Sequence, residues 1–438
     1  MRFSSPSSFA GLLVVHLIIV SGGVSMPMRR PAAAQTIAVI HADAWTLDAD
    51  TPVRDATIVI DNGRITSVAA GGGVPDGATI IDARGKPVTP GLVNGATQIG
   101  LVEISGSPDT SDTGSADERN PGNDVSRALN GNSTLVSRAR ADGITRALIF
   151  PSPSRHAPFS GEPALARLRD GVDILEKPNV GVYAVIGGGA WDRLGSRGVQ
   201  WAALRKALDE GKRGLVPPPP VDKKKDRKGD APAGGPPGGR PGEELIRGVL
   251  QGNVPLAIQT NRESDIRQAA VLASDFGIRV IIVGGAEAWR AADLLAAAKV
   301  DVILDPVANL PFSFDQLGAR QDNAAILTKA GVRVAVGQAG GAIHATYNAG
   351  MGLREGAGLA VANGLPYIDA LRAVTVNPLA IWGRGGGTLA PGADADLVVW
   401  DGDPLEPSSI ALHVIVEGRE TESRSRQDRL AERYRDAR

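Results

Sequence analysis

The 438 residues include no cysteine. That absence excludes a disulfide framework, a thiolate nucleophile, a zinc ribbon, an iron–sulfur cluster and the lipidated cysteine of a bacterial lipoprotein. Histidine is nearly as scarce: there are five, and one of them, His16, falls in the amino-terminal leader. Any metal must therefore be held by four imidazoles and by carboxylates. An excess of charge is missing too. With 47 Lys and Arg against 48 Asp and Glu, the formal net charge is −1, which supplies no concentrated basic face for nucleic acid or an anionic membrane. Aromatic residues make up only 4%.

What is present fits a globular protein. Hydrophobic residues at 42% and charged ones at 22% let the chain bury enough apolar area to offset its conformational entropy. The 55 glycines and 30 prolines indicate many tight loops between short elements. Residues 1–34 read as an export signal: Arg2 starts it, Ala10 to Val20 is an apolar run broken by His16, and Ala32-Ala33-Ala34 offers a cleavage site. The run falls short of the roughly 20 apolar residues of a membrane span, so an uncleaved anchor is the weaker alternative. A periplasmic or secreted protein is expected, free of the membrane after cleavage.

Short β-branched runs follow, at Ile37 to Ile40, Thr57 to Ile60, Ile65 to Val68 and Thr79 to Ile81, with Asp61-Asn62-Gly63 as a hairpin signal. Similar runs, Asp396 to Trp400 and Leu412 to Val416, return near the end. The two stretches, 35–88 and 388–420, are expected to build one composite β-sandwich with the rest inserted between them. That middle, 89–387, alternates apolar strands such as Val280 to Val283 with amphipathic helices such as Ser264 to Phe276. Repeated strand–helix units imply a parallel sheet covered on both faces, and six or more suggest a closed α/β barrel with its chemistry at the carboxyl ends of the strands. Residues 215–243 break the rhythm. Pro217 to Pro220, Lys223-Lys224-Lys225 and a Gly/Pro stretch read as a disordered insertion rather than a polyproline docking site. Residues 421–438 read as an exposed, charged tail helix.

Val88-Thr89-Pro90-Gly91-Leu92-Val93-Asn94 resembles the entry to the catalytic barrel of the amidohydrolase superfamily. Ala370 to Pro378 resembles its last barrel helix, and Gly387 to Val398, followed by Asp401-Gly402-Asp403-Pro404, resembles its return to the sandwich. The likeness spans nearly the whole mature chain and is closest to the exported imidazolonepropionase-like branch. It implies a TIM-type (β/α)8 barrel with a composite β-sandwich, and hydrolysis of amide or related C–N bonds. It also implies zinc or another divalent metal that activates water while an Asp moves protons.

The ligand positions implied by the resemblance are substituted. Ala96 and Gln98 stand at the His-x-His, Gln259 and Asn261 at two further histidines, Gly284 at another, and Gln338 or Ala339 at the catalytic Asp. A methyl group cannot ligate, and amides are poor zinc ligands. His41 and His413 fall in sandwich strands, which leaves His156 and His344 in the barrel segment; two cannot build a four-His centre. The reading is a degenerate amidohydrolase, with no metal expected and a neutral cavity for an unknown small polar molecule. One alternative is an active hydrolase with a rebuilt mononuclear or metal-independent site. It would draw on His156 or His344 and on Glu103, Asp109, Asp112, Glu287 or Asp305, although Asp-rich strand ends are also ordinary turn and capping features. The other is an assembly protein that uses the insertion and tail. A homo-oligomer is compatible with all three.

Overall fold

The computed structural model describes residues 36–104, 106–114, 123–154, 159–188, 195–215, 242–339, 343–422 and 426–435. The leader, most of the 215–243 insertion and His156 lie outside the described residues. Among the described residues no helix is long and apolar enough to cross a membrane.

The chain opens with β1 (Ile37–Ala44), β2 (Val53–Asp61), β3 (Arg64–Ala70), β4 (Thr79–Asp82) and β5 (Pro87–Pro90). β2 and β3 are joined at Asn62 and Gly63, whose φ values of 51° and 77° are those of a tight hairpin that matches the strand twist. β6 (Leu92–Thr97) follows directly after Gly91, and after a long excursion come β7 (Ile144–Ile149), β8 (Phe159–Gly161), β9 (Ala164–Arg167), β10 (Leu175–Lys177) and β11 (Val182–Val185). β12 (Leu256–Thr260), β13 (Val280–Gly284), β14 (Asp301–Leu304) and β15 (Val334–Val336) follow, and β16 (Leu397–Trp400), β17 (Ala411–Val416) and β18 (Arg419–Glu420) close the series.

Strands from both ends of the chain share one sheet, in the order β18-β17-β16-β5-β1-β2-β3 with β4 beside β1. The join is antiparallel, β16 to β5, with Leu397 opposite Pro90 and Val399 opposite Val88. Ile37, Val39, Ile58, Ile60, Val88, Leu397, Val399 and Ile415 pack into its core. The sequence leads one to expect a sandwich; the hydrogen bonds join all eight strands in a single sheet.

The middle strands form two ladders, β10-β9-β7-β6 and β15-β14-β13-β12-β11-β8. β11 to β15 run parallel in chain order, and β6 is parallel to β7. An unbroken parallel ring is not what these ladders make, because the segment from Phe159 to Arg167 runs antiparallel to β11 and then to β7. The change of partner falls at Gly161, with φ +135°, and at Pro163, which has no N–H to give to a ladder. On the other side β15 and β6 approach closely. Gln338 N–H donates to Ala96 O at 2.7 Å, and a Cβ on Gly337 would stand 2.4 Å from Ala96 N, so only glycine admits the approach. Alternate residues of the middle strands, among them Ala96, Leu148, Leu165, Tyr183, Ala257, Ile281, Ile303 and Ala335, meet in one buried cluster. Their neighbours, such as Ile258, Ile282 and Val302, pack in a second cluster with helical residues. The helix Glu263–Phe276 does this with Ile266, Ala269, Ala270 and Ala273, the period expected of an amphipathic helix.

Arg146 and Arg167 stand directly opposite one another in the β7–β9 register, a pairing that repels unless carboxylates intervene. They do intervene. Glu176 lies 2.9 Å from both guanidinium Nε atoms, Asp394 bridges the two, and Glu417 accepts from Arg167 at 2.9 Å. Asp396 adds a contact of 3.3 Å to Arg146. Burial pushes its carboxyl up, with Arg167 opposing.

Candidate functional site

Four adjacent parallel strands deliver residues to a cavity of about 200 Å³. Gln259 sits near the end of β12 with Asn261 just beyond it, Gly284 ends β13, Asp305 follows β14, and Gly337 and Ala339 follow β15. Ala308, Asn309 and Gln316 complete the polar wall with Val283 and Ala286. Parallel strands expose their carboxyl ends in this way because each is followed by a loop that crosses to a helix, which concentrates variable side chains on one face.

Each amide is held by its surroundings. Gln259 Oε1 accepts from the buried Tyr183 hydroxyl, and the Tyr183 ring packs edge-on against Phe150 at 5.0 Å. Asn261 Oδ1 accepts from Ala286 N–H at 3.2 Å, and its backbone carbonyl accepts from Glu287 N–H at 3.0 Å. Gly284 has φ +95°, and a Cβ there would lie 2.7 Å from Asn261 Oδ1. Asp305 Oδ1 accepts from Val307 and Ala308 N–H at 3.2 and 3.3 Å. Among the described residues of the wall, Asp305 is the one ionisable side chain.

The remaining candidates stand elsewhere. Ala96 is fully buried in the interior cluster. Gln98 is buried and donates to Ser152 Oγ at 3.1 Å, which donates in turn to Thr113 Oγ1 at 2.8 Å. Gln338 is buried against Gly352, where a Cβ would come within 2.8 Å of its amide. Glu287 is a structural cap: its carboxylate accepts from Glu263 N–H, at the start of the helix Glu263–Phe276, and from Gly318 N–H at 2.9 and 2.7 Å. Of the weaker carboxylate candidates, Glu103 accepts from Asn130 and Ser133 at 3.0 and 2.9 Å, and Asp109 accepts from Ser107. His344 lies in the short turn Ile343–Ala345. His41 and His413 are occupied on the eight-stranded sheet by Asp82 and Glu420, at 3.0 and 2.6 Å.

Three participants escape sequence reasoning. Tyr183 could be found from strand alternation, since it faces inward on β11. Asn309 and Gln316 could not, because they reach the cavity from an irregular loop. Glu162, directly after β8, is a further buried carboxylate. Its N–H donates to Asn123 O at 2.9 Å, its Oε2 has no hydrogen-bond partner among the described residues, and burial together with nearby Asp124 pushes its pKa up to about 7.

A family that uses a divalent metal would need donors here. Among the described residues no group of three or more His, Asp or Glu could hold an ion, and the cavity offers one carboxylate, two amide side chains at ligand positions and a glycine. That donor set does not fit zinc.

Residues 275–421 match the Amidohydrolase family. An amidohydrolase, TasK, of Hapsidospora irregularis is 44% identical over 57 residues, 13% of this chain and 6% of that protein, so the match spans a small part of its relative. Among solved structures, an amidohydrolase from Thermotoga maritima MSB8 superposes with a TM-score of 0.76 at 24% identity, over 89% of this chain and 100% of that one. A molinate hydrolase aligns over 89% of this chain and 95% of its own at 17% identity and TM-score 0.53. A prolidase complexed with N-methylphosphonate-L-proline aligns over 88% and 99% at 18% identity and TM-score 0.51. The family match thus covers the carboxyl-terminal third of the chain, and the fold as a whole is the one these solved structures share.

Proposed function

We propose that this is an exported member of the imidazolonepropionase-like branch whose metal centre has been lost and whose cavity binds a small polar molecule. The observation that carries the reading is the cavity wall: Gln259, Asn261, Gly284 and Ala339, all at positions where the family places ligands or its base, converge with Asp305 as the one ionisable group among the described residues of the wall. Such a wall hydrogen-bonds a polar ligand. It cannot lower the pKa of a water to about 7, as a ligated divalent ion does. The inward-facing residues that meet in one cluster and the β15–β6 contact through Gly337 support a closed barrel, interrupted by one antiparallel segment. Arg2 and the Ala10 to Val20 run support export to the periplasm.

The test is elemental analysis of protein purified without chelators, together with turnover assays on lactam, dipeptide and hydantoin substrates with added zinc and manganese. The expected outcome is substoichiometric metal and no metal-dependent turnover. Near-stoichiometric metal, with turnover abolished by changing His156 or His344, would overturn the reading.

A further inference from the structure

The helices Glu263–Phe276, Ala292–Ala297 and Asn323–Lys329, with the turn Ala288–Ala291, border a second cavity of about 600 Å³. It shares no residue with the cavity at the strand ends, and its size falls within the roughly 300–1,000 Å³ that takes a whole small ligand. Part of its wall is apolar. Trp289, Leu294 and Ile326 line it and are each half-buried, so each keeps surface for what enters. The indole is held in place, since its N–H donates to Gly318 O at 2.8 Å and Gly318 N–H is in turn bound by Glu287 at 2.7 Å.

The charged part of the wall is mostly cationic, with Arg267, Arg290 and Lys329 against Asp293. Their partners do not cancel the excess. Glu263, outside the wall, pairs with both arginines, 2.9 Å from Arg267 Nη2 and 3.8 Å from Arg290 Nη1, so one carboxylate serves two guanidiniums. Two further contacts position Arg290 and leave its charge intact. Its guanidinium lies 4.8 Å from the centre of the Trp289 ring, and its carbonyl accepts from Arg267 Nη2 at 3.1 Å. Among the described residues no carboxylate pairs with Lys329. An anion entering here gains charge-assisted hydrogen bonds. Asp293 disfavours a second negative charge on it.

We infer that this cavity binds a small monocarboxylate with an apolar body, its carboxylate on Arg267, Arg290 and Lys329 and its body on Trp289, Leu294 and Ile326. The residues are not those of the strand-end cavity, so neither site depends on the other. The test is titration calorimetry on the full chain with 4-phenylbutanoate, 4-phenylbutanamide and butanoate. Neutralising the carboxylate as the amide, or removing the phenyl group, should each weaken binding by at least about tenfold. Raising the salt from about 0.05 to about 0.5 M should weaken the carboxylate and hardly move the amide. Lys329→Glu, at an exposed position, should weaken 4-phenylbutanoate by at least about fivefold, with an unchanged thermal melt showing that the fold is kept, and Asp293→Asn should tighten it. An amide that binds as tightly as the carboxylate overturns the charge assignment. Butanoate that binds as tightly as 4-phenylbutanoate overturns the apolar body. If 4-phenylbutanoate does not bind, or binds with indifference to both substitutions, the cavity is not its site.

Discussion

Gly284 shows how a single residue can close off a chemistry. Its φ of +95° is one that L side chains rarely adopt, and Asn261 Oδ1 occupies the space a Cβ would take. The position is thus more than a lost ligand: the local backbone has settled into a form that excludes one. Gly284→Ala should destabilise the protein by about 1–3 kcal/mol, measured by urea unfolding, and Gly284→His by no less. A neutral effect would show that the β13 terminus adapts and that the site could be rebuilt by substitution. Glu162 makes a different prediction, about pH. Its folded pKa of about 7 lies above the ordinary 4.5, so the folded state holds the proton that the unfolded chain releases earlier. Its stabilising protonated form is complete below about pH 4.5, and the penalty for ionising grows as pH rises through about 7, to on the order of 3 kcal/mol. Glu162→Gln should therefore gain stability over the parent protein as pH rises from 5 to 8. A difference between the two that does not change with pH would sink the idea.

At the level of elements, periodicity was informative and irregular backbone was not. The helix expected from Ser264 to Phe276 runs from Glu263 to Phe276 with Ile266, Ala269, Ala270 and Ala273 inward, because a 3.6-residue repeat of Ile and Ala leaves few other ways to bury that face. The Asn62-Gly63 turn was legible for a similarly local reason. The antiparallel detour from Phe159 to Arg167 was not. Its strands are three and four residues long, too short for alternation to be read, and only Gly161 and Pro163 hint at a break. The candidate site was legible in the same proportion. Gln259, Asn261, Gly284 and Ala339 sit at regular strand ends and could be placed by analogy with barrel folds. Asn309 and Gln316 come from a loop whose path is fixed by the distant partners Gly188, Arg197 and Arg320. No spacing rule encodes those contacts.

On the scale of the whole molecule, the eight-stranded sheet joins the core of the helix-and-strand body through Val398, Trp400, Val414 and Val416, and two specific sets of contacts lock the parts together. Trp400, at the end of β16, lays its ring on Gly143, where a Cβ would come within 2.4 Å. Its indole N–H donates to Thr89 Oγ1 at 2.9 Å, and Arg354 covers the ring at 4.8 Å while binding the carbonyls of Pro404 and Ser409 at 2.9 and 2.7 Å. The Arg146–Arg167 network is a second lock, since Asp394, Asp396 and Glu417 flank or follow β16 and β17 while the arginines stand on β7 and β9. With both locks in place the two parts should melt as one, because neither can separate without stranding buried charge or opening a cavity under an indole. Trp400→Ala should cost about 3–5 kcal/mol, and Arg167→Met somewhat less, because Glu176, Asp394 and Asp396 are then left to share the single guanidinium of Arg146. The diagnostic is cooperativity. Calorimetry of the parent protein should give one transition whose calorimetric and van 't Hoff enthalpies agree, and the Trp400→Ala/Arg167→Met double variant should give two. A double variant that still melts in a single, merely lowered transition would mean that the sheet and the body are coupled over their whole boundary and that neither lock is special.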